Sequence, residues 1–152
     1  MLTDEISRRI LRHMQAEPDL PMAELAQRSG LAAGTCARRL EKLREAGIYQ
    51  GVQAIINWAA LGYSVEVSLR VTLDKTQSRA FDEFIEEARK IPEVSEIHTF
   101  LGRVDVRLAV LARDMAHYQE IYKTRILTLP HIADIEALMQ VAAIKMSEDL
   151  PL

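Results

Sequence analysis

Met22-Ala23-Glu24-Leu25-Ala26-Gln27-Arg28-Ser29-Gly30-Leu31, continued by Ala32 to Leu43, decides the fold of the N-terminal half. It predicts a short helix, a glycine-marked turn and a longer helix, which is a helix-turn-helix. Leu25 and the small Ala26 face inward, Gly30 closes the first helix in a left-handed conformation, and Leu31 plugs the core. In the longer helix Cys36, Leu40 and Leu43 recur at spacings of four and three and form a buried stripe. Thr35, Arg38, Arg39 and Lys42 fall at i, i+3, i+4 and i+7, a second face that is polar and basic. Arginine binds guanine bidentately, threonine touches a thymine methyl or a phosphate, and lysine supplies charge to phosphate. This spacing points to the major groove of double-stranded DNA, with Arg44 extending the basic patch. A basic amphipathic helix alone is more often a solvated face; the helix and glycine turn before it shift the balance to DNA. Cys36, on the apolar stripe, is assigned to packing rather than redox chemistry.

Outward from this motif, Thr3 or Asp4 caps a first helix that runs to about Gln15. Its apolar face is Ile6, Ile10 and Met14, flanked by Leu2 and Leu11. Glu17-Pro18-Asp19 signals a turn, and Pro21 suits the first position of the second helix. After Ala46-Gly47, the run Ile48 to Ile56 is β-prone and predicts a small wing or an exit strand, bent at Gly51. Asn57 to Gly62 reads as a connector.

Charge distribution supports the same division. The chain has 152 residues and a net charge of −3, which weighs against nucleic acid. Residues 1–56, however, hold 8 Lys+Arg and 7 Asp+Glu, whereas residues 57–152 hold 11 and 15. Local charge sets phosphate affinity, and an acidic remainder repels DNA and keeps one face docked. The chain is ordinary for a globular protein, with 49% hydrophobic and 27% charged residues. It has no apolar run long enough for a membrane and no signal region, so no membrane association and a cytoplasmic location are expected. One cysteine leaves no internal disulfide and no cysteine metal cluster.

From Tyr63 the pattern changes to alternation. Val65, Val67, Leu69, Val71 and Leu73 point one way and Ser64, Glu66, Ser68, Arg70 and Thr72 the other, a half-buried strand. A helix over 77–90 follows, with Phe81, Phe84, Ile85 and Ala88 inward. Strands are expected over 94–101 and 105–112, joined at Gly102-Arg103. Asp114 caps a helix to about Leu127 that uses Met115, Tyr118, Ile121 and Tyr122, and a last strand spans about 132–144. The order βαββαβ is the ferredoxin-like arrangement, and the fold class is α+β. Ile91-Pro92-Glu93-Val94-Ser95-Glu96-Ile97 matches Leu129-Pro130-His131-Ile132-Ala133-Asp134-Ile135 at an offset of 38 residues, a duplicated helix-to-strand entry. Two helices cover one face of such a sheet. The other face is left bare and invites a partner, so at least a homodimer is expected. The domains read as 1–50, a connector at 51–62, and 63–152.

Catalytic signatures are absent. The four histidines have no metal-site spacing, there is no phosphate loop or nucleophile elbow, and Glu83, Glu86 and Glu87 follow a solvated helical face. No catalytic residue, metal or cofactor is assigned. The Gly102-Arg103-Val104-Asp105 turn stands apart: backbone amides with one carboxylate suit the two ends of a zwitterion, although ordinary hairpin chemistry explains the same residues.

Taken in order, these features resemble the Lrp/AsnC family of bacterial and archaeal transcription regulators. The resemblance is carried by Leu2-Thr3-Asp4, Glu24-Leu25-Ala26, Gly30-Leu31, Cys36, Arg39-Leu40, Leu43, Gly47-Ile48, Gln50-Gly51 and Leu61-Gly62-Tyr63. It continues through Pro92 with Val94, Gly102 with Asp105, Leu129-Pro130 with Ile132, Lys145 and Leu150-Pro151-Leu152. It implies a winged helix-turn-helix joined to a βαββαβ effector and oligomerisation domain. It also implies dimers that associate into octameric discs. A small-molecule effector, usually an amino acid, is implied between dimers near the turn, where Leu101, Gly102, Arg103, Asp105, Ile135 and Ala137 lie. The chain departs from the family pattern at Ala32 and Gly34, where the recognition helix usually opens with hydroxyl residues. It departs again at Arg103 and Val104 in the turn, and at the apolar Ile135 and Ala137 where threonines are common.

Two other readings stay open on sequence. The sirohaem decarboxylases share the two-domain architecture, but the region corresponding to their histidine- and aromatic-rich segment offers here only His98 and Phe100. A regulator working by assembly alone, without an effector, is the third.

Overall fold

The computed structural model of the chain describes residues 4–147 and 149–152. The expectations placed on Leu2 and Thr3 lie outside the described residues. Two compact units emerge: one reaches to Ile55 and includes Lys145–Leu152, the other is Ile56–Ile144. The last residues thus group with the N-terminal unit, whereas sequence pattern attached them to the second.

The first unit holds α1 (Glu5–Ala16), α2 (Met22–Arg28) and α3 (Ala33–Glu45). Asp4 caps α1, its carboxylate accepting the Ser7 N–H at 2.9 Å. Pro21 sits at the cap of α2 rather than inside it, extended at ψ 145°. Gly30 adopts φ +69°, and the Leu31 N–H returns to the Ala26 carbonyl at 2.9 Å, which closes α2 and turns the chain toward α3. Ile10, Leu25, Ala26, Cys36 and Leu40 form the buried core, with Ile6, Met14, Leu20, Leu31 and Tyr49 packed at its margin. The stripe predicted on α3 is the buried one. No strand forms over 48–56: the segment has no regular structure and is largely exposed, with Ile55 at 98%. β-propensity needs a ladder partner to act, and the described chain offers this segment none.

The tail folds back within this unit. Gln15 on α1 grips the backbone of Leu150 on both sides, donating from Nε2 to its carbonyl at 3.1 Å and accepting its N–H at 2.8 Å. Arg12 Nε donates to the Leu152 carbonyl at 2.8 Å.

The second unit holds β1 (Val65–Leu73), α4 (Ala80–Ala88), β2 (Val94–Thr99), β3 (Val106–Ala112), α5 (Met115–Ile121) and β4 (Ile132–Met139). α5 runs on into a π-helical turn, Tyr122–Ile126. The sheet is antiparallel throughout, in the order β2-β3-β1-β4. Val67, Leu69, Val71 and Leu73 of β1 and Val106, Leu108, Val110 and Ala112 of β3 meet Phe84, Ala88, Tyr118, Ile121 and Ile126 in one core. Two inward assignments fail. Phe81 and Met115 are each 41% exposed, because α4 and α5 begin only at Ala80 and Met115 and both side chains lie in a first turn. Ala80 takes the inward place that Phe81 was expected to fill. The last strand ends at Met139, short of the predicted 144.

The repeat has a structural counterpart. Its two copies lead into β2 and β4, the two edge strands. Ile91 and Leu129 are buried, and Val94, Ile97, Ile132 and Ile135 pack at the same core. Each copy also braces the other copy's helix. Glu93 approaches His117 of α5 at 4.0 Å and Arg125 at 3.5 Å, while its counterpart His131 meets Glu83 of α4 at 2.6 Å. His131 holds φ +64° to do so.

The open face of the sheet is chiefly polar. His98, Arg107, Arg70 and Glu136 form one row across the four strands. Each central arginine meets a carboxylate from its nearer edge strand, Arg107 with Glu96 at 2.7 Å and Arg70 with Glu136 at 3.8 Å.

Candidate nucleic-acid interface and effector site

The recognition helix α3 is built as a two-faced element. Ala32 caps it in an extended conformation without a side-chain acceptor, as the missing hydroxyl predicts. The start is held by backbone alone, the Thr35 and Cys36 N–H groups both returning to the Ala32 carbonyl at 3.0 Å. Gly47 at φ +70° ends it, with the Ile48 N–H on the Leu43 carbonyl at 2.9 Å.

The basic residues of α3 have different surroundings. Arg38 and Lys42 are exposed and Thr35 half-buried. Arg39 is half-buried and turned to α1: its Nη1 lies 3.0 and 2.9 Å from the two Asp4 oxygens and 3.2 Å from Ser7 Oγ. The Ser7 N–H and then the Arg39 guanidinium hold the Asp4 carboxyl down at about 2. Arg44 lies on another side of the helix, paired with Glu41 at 2.9 Å and stacked over the Tyr49 ring at 5.3 Å. Among the described residues, the ion pairs of the α3 cations are those of Arg39 and Arg44.

In the second unit the turn after β2 is stapled to β1. The Asp105 N–H donates to the Val71 carbonyl and the Phe100 N–H to the Asp105 carbonyl, both at 2.9 Å. Thr72 Oγ1 donates to the Arg103 carbonyl at 2.9 Å. Asp105 is buried, and both its oxygens are engaged, one by Lys75 Nζ at 2.7 Å and one by the Leu73 N–H at 2.9 Å. Burial alone raises this carboxyl; Lys75 and the Leu73 N–H outweigh it and leave Asp105 below the usual carboxylate value. Ile135 pairs with Val71, so Asp105 and Ile135 flank the same residue of β1, and Ala137 lies one pleat further on, opposite Leu69. Leu101, Gly102 and Arg103 are exposed, and nothing lies within 4 Å of where a Gly102 Cβ would sit. Two shallow hollows of this unit open elsewhere, both beside Trp58, Tyr63 and Leu111.

Sequence reasoning missed Lys75 and Thr72, which anchor the turn, and the partnership of Asp4 with Arg39. The Asp4 cap was visible in sequence, but no local spacing links residues 35 apart.

Residues 3–48 match the model of a winged helix-turn-helix DNA-binding domain, and residues 66–150 match that of the Lrp/AsnC ligand binding domain. The chain belongs to the Lrp/AsnC family of transcriptional regulators. It is 32% identical over 143 residues to the proline dehydrogenase transcriptional activator of Rhodobacter capsulatus, covering 94% of this chain and 93% of that protein. An AsnC family transcriptional regulator from Agrobacterium tumefaciens superposes with a TM-score of 0.88 at 30% identity, over 98% of this chain and 97% of that one. A transcriptional regulator from Neisseria meningitidis, crystallised as a complex with L-Met, gives 0.89 at 26% identity, over 97% and 96%. This Lrp/AsnC protein is therefore a DNA-binding transcriptional regulator and not an enzyme, which sets aside the decarboxylase reading. No helix among the described residues is long and apolar enough to cross a membrane.

Proposed function

We propose that this regulator reads operator DNA through the exposed face of α3, with Thr35, Arg38 and Lys42 toward the duplex and Arg44 at its flank. The supporting observation is the pair Arg38 and Lys42, both exposed, one turn apart and outside the ion pairs that hold Arg39 and Arg44. Such cations release counterions from DNA and give affinity that falls with salt. The regulator works as a homodimer or a higher assembly, so that paired recognition helices meet half-sites about one DNA turn apart. An effector of amino-acid class adjusts affinity or assembly at the turn of Leu101, Gly102, Arg103 and Asp105 with Ile135 and Ala137. The Neisseria regulator's L-Met complex supports that class.

A second reading has an observation behind it. Both Asp105 oxygens are engaged within its own chain, which favours a regulator that responds through assembly alone. Binding to promoter DNA, including the upstream region of its own gene, measured with and without a panel of amino acids at two salt concentrations, separates the two. Salt-sensitive binding that shifts with one amino acid supports the effector reading. Salt-sensitive binding indifferent to the panel supports assembly alone, and no specific binding overturns the docking of α3.

A further inference from the structure

The four positions of the basic face are not equivalent. At about 100° per residue, Arg38 and Lys42 lie about 60° and 20° to one side of Thr35, away from the buried Leu43. Arg39 lies about 40° to the other side, toward Leu43 and α1. There its Nη1 meets both Asp4 oxygens and the Ser7 hydroxyl, and Ser7 is itself only 1% exposed. Asp4 is held in place independently, since the same carboxylate caps α1 through the Ser7 N–H. The carboxylate therefore serves two elements, ending one helix and fastening the next. A guanidinium placed against a carboxylate contributes no net charge to a phosphate approaching from outside.

Resting on the proposal that α3 faces the duplex, we propose that Asp4 withdraws Arg39 from the DNA-reading set. Arg39 fastens α1 to the recognition helix as a neutral pair with Asp4, and Thr35, Arg38 and Lys42 alone face DNA. Asp4 is thus a positioning residue of the DNA site, although it lies on no DNA-facing element. It fixes both the tilt of α3 against α1 and the number of free charges that α3 presents.

A charge cycle read through the salt dependence of DNA binding tests this. Each phosphate contact contributes about 0.9 to the slope of log affinity against log salt, about a 3.5-fold effect for a fourfold rise in salt. In the full-length protein, Arg38→Ala and Lys42→Ala each lower the slope by about 0.9. Asp4→Asn frees Arg39 and raises the slope, with tighter binding to DNA of unrelated sequence. Arg39→Gln leaves Asp4 bare beside the interface and weakens binding. The double variant Asp4→Asn/Arg39→Gln removes both charges, keeps a hydrogen bond between the two side chains, and returns the slope to that of the unaltered protein. A double variant that loses about 0.9 in slope while its thermal unfolding matches the unaltered protein shows Arg39 on a phosphate and overturns the proposal. If instead Arg38→Ala and Lys42→Ala leave the slope unchanged, the docking of α3 fails, and that failure is distinct from this one. Arg39→Lys is the folding control: it retains the charge and the Asp4 contact, and its slope stays unchanged.

Discussion

Asp105 shows how much one side chain carries in this protein. It is buried, it accepts the Leu73 N–H at a point where the β1–β4 register shifts, and it pairs with Lys75. Replacing it with alanine leaves a buried N–H without an acceptor and should cost about 1–3 kcal/mol in urea unfolding. Asp105→Asn retains an acceptor and should cost less. The acid profile follows the same logic. Because the folded carboxyl lies below its ordinary value of 3.8, the unfolded chain binds the proton more tightly. Its contribution is complete above that value and is lost as pH falls through the folded one. Asp105→Asn should lower stability by a constant amount from pH 5 to 8 and by progressively less as pH falls below 3.8; a deficit that instead grows in acid would point to another group. Any loss of effector response in Asp105→Ala must then be compared with its loss of stability, because this carboxylate is part of the fold before it is part of any site.

At the scale of elements, the alternation over 65–73, the βαββαβ order and the apolar stripe of α3 were all legible in sequence. Each is a periodic pattern, and burial of a periodic face is what the pattern encodes. What escaped was contact between distant residues. The bond from Asp4 to Arg39 and the staple of Asp105 on Lys75 and Leu73 depend on how elements cross, which no spacing reports. The strand expected over 48–56 failed for the opposite reason: local preference there is strong, yet a strand needs a neighbour. Phe81 was misplaced because the pattern began its helix at 77, ahead of Ala80, whereas Met115 follows the predicted Asp114 cap and is still exposed in the first turn. The repeat gave more than expected, since its third position became a crossed brace. Glu93 reaches α5 and His131 reaches α4. Hydrogen exchange should register that crossing. Glu93→Gln should lose protection in α5, and His131→Asn, which tolerates the left-handed backbone, should lose it in α4. Loss in the helix of the same repeat would contradict the brace.

For the whole molecule, the proposed self-association is best tested on the open sheet face. Its central arginines are adjacent on neighbouring strands and each meets a carboxylate from an edge strand, so the face is strongly patterned in charge. A surface of this kind selects a partner by charge register more than by apolar area. Arg70→Glu places a carboxylate beside Glu136 and should shift the protein toward monomer in sedimentation at constant circular dichroism. Assembly unchanged in that variant would remove the open face from the interface.

The fold-back of the tail on α1 has a practical consequence for anyone dissecting the protein. The chain passes between the units twice, once at Ile55–Ile56 and once at Ile144–Lys145. The N-terminal unit is therefore discontinuous, and a fragment ending at residue 55 is not that unit. It lacks the strand of backbone that Gln15 grips, and restoring the grip from a separate peptide turns an intramolecular contact into a bimolecular one, at the loss of its effective concentration. Proteolytic nicking at one crossing would then leave the units joined through the other, cutting both would give three fragments, and a tag fused after Leu152 would sit against the first helix of the DNA reader.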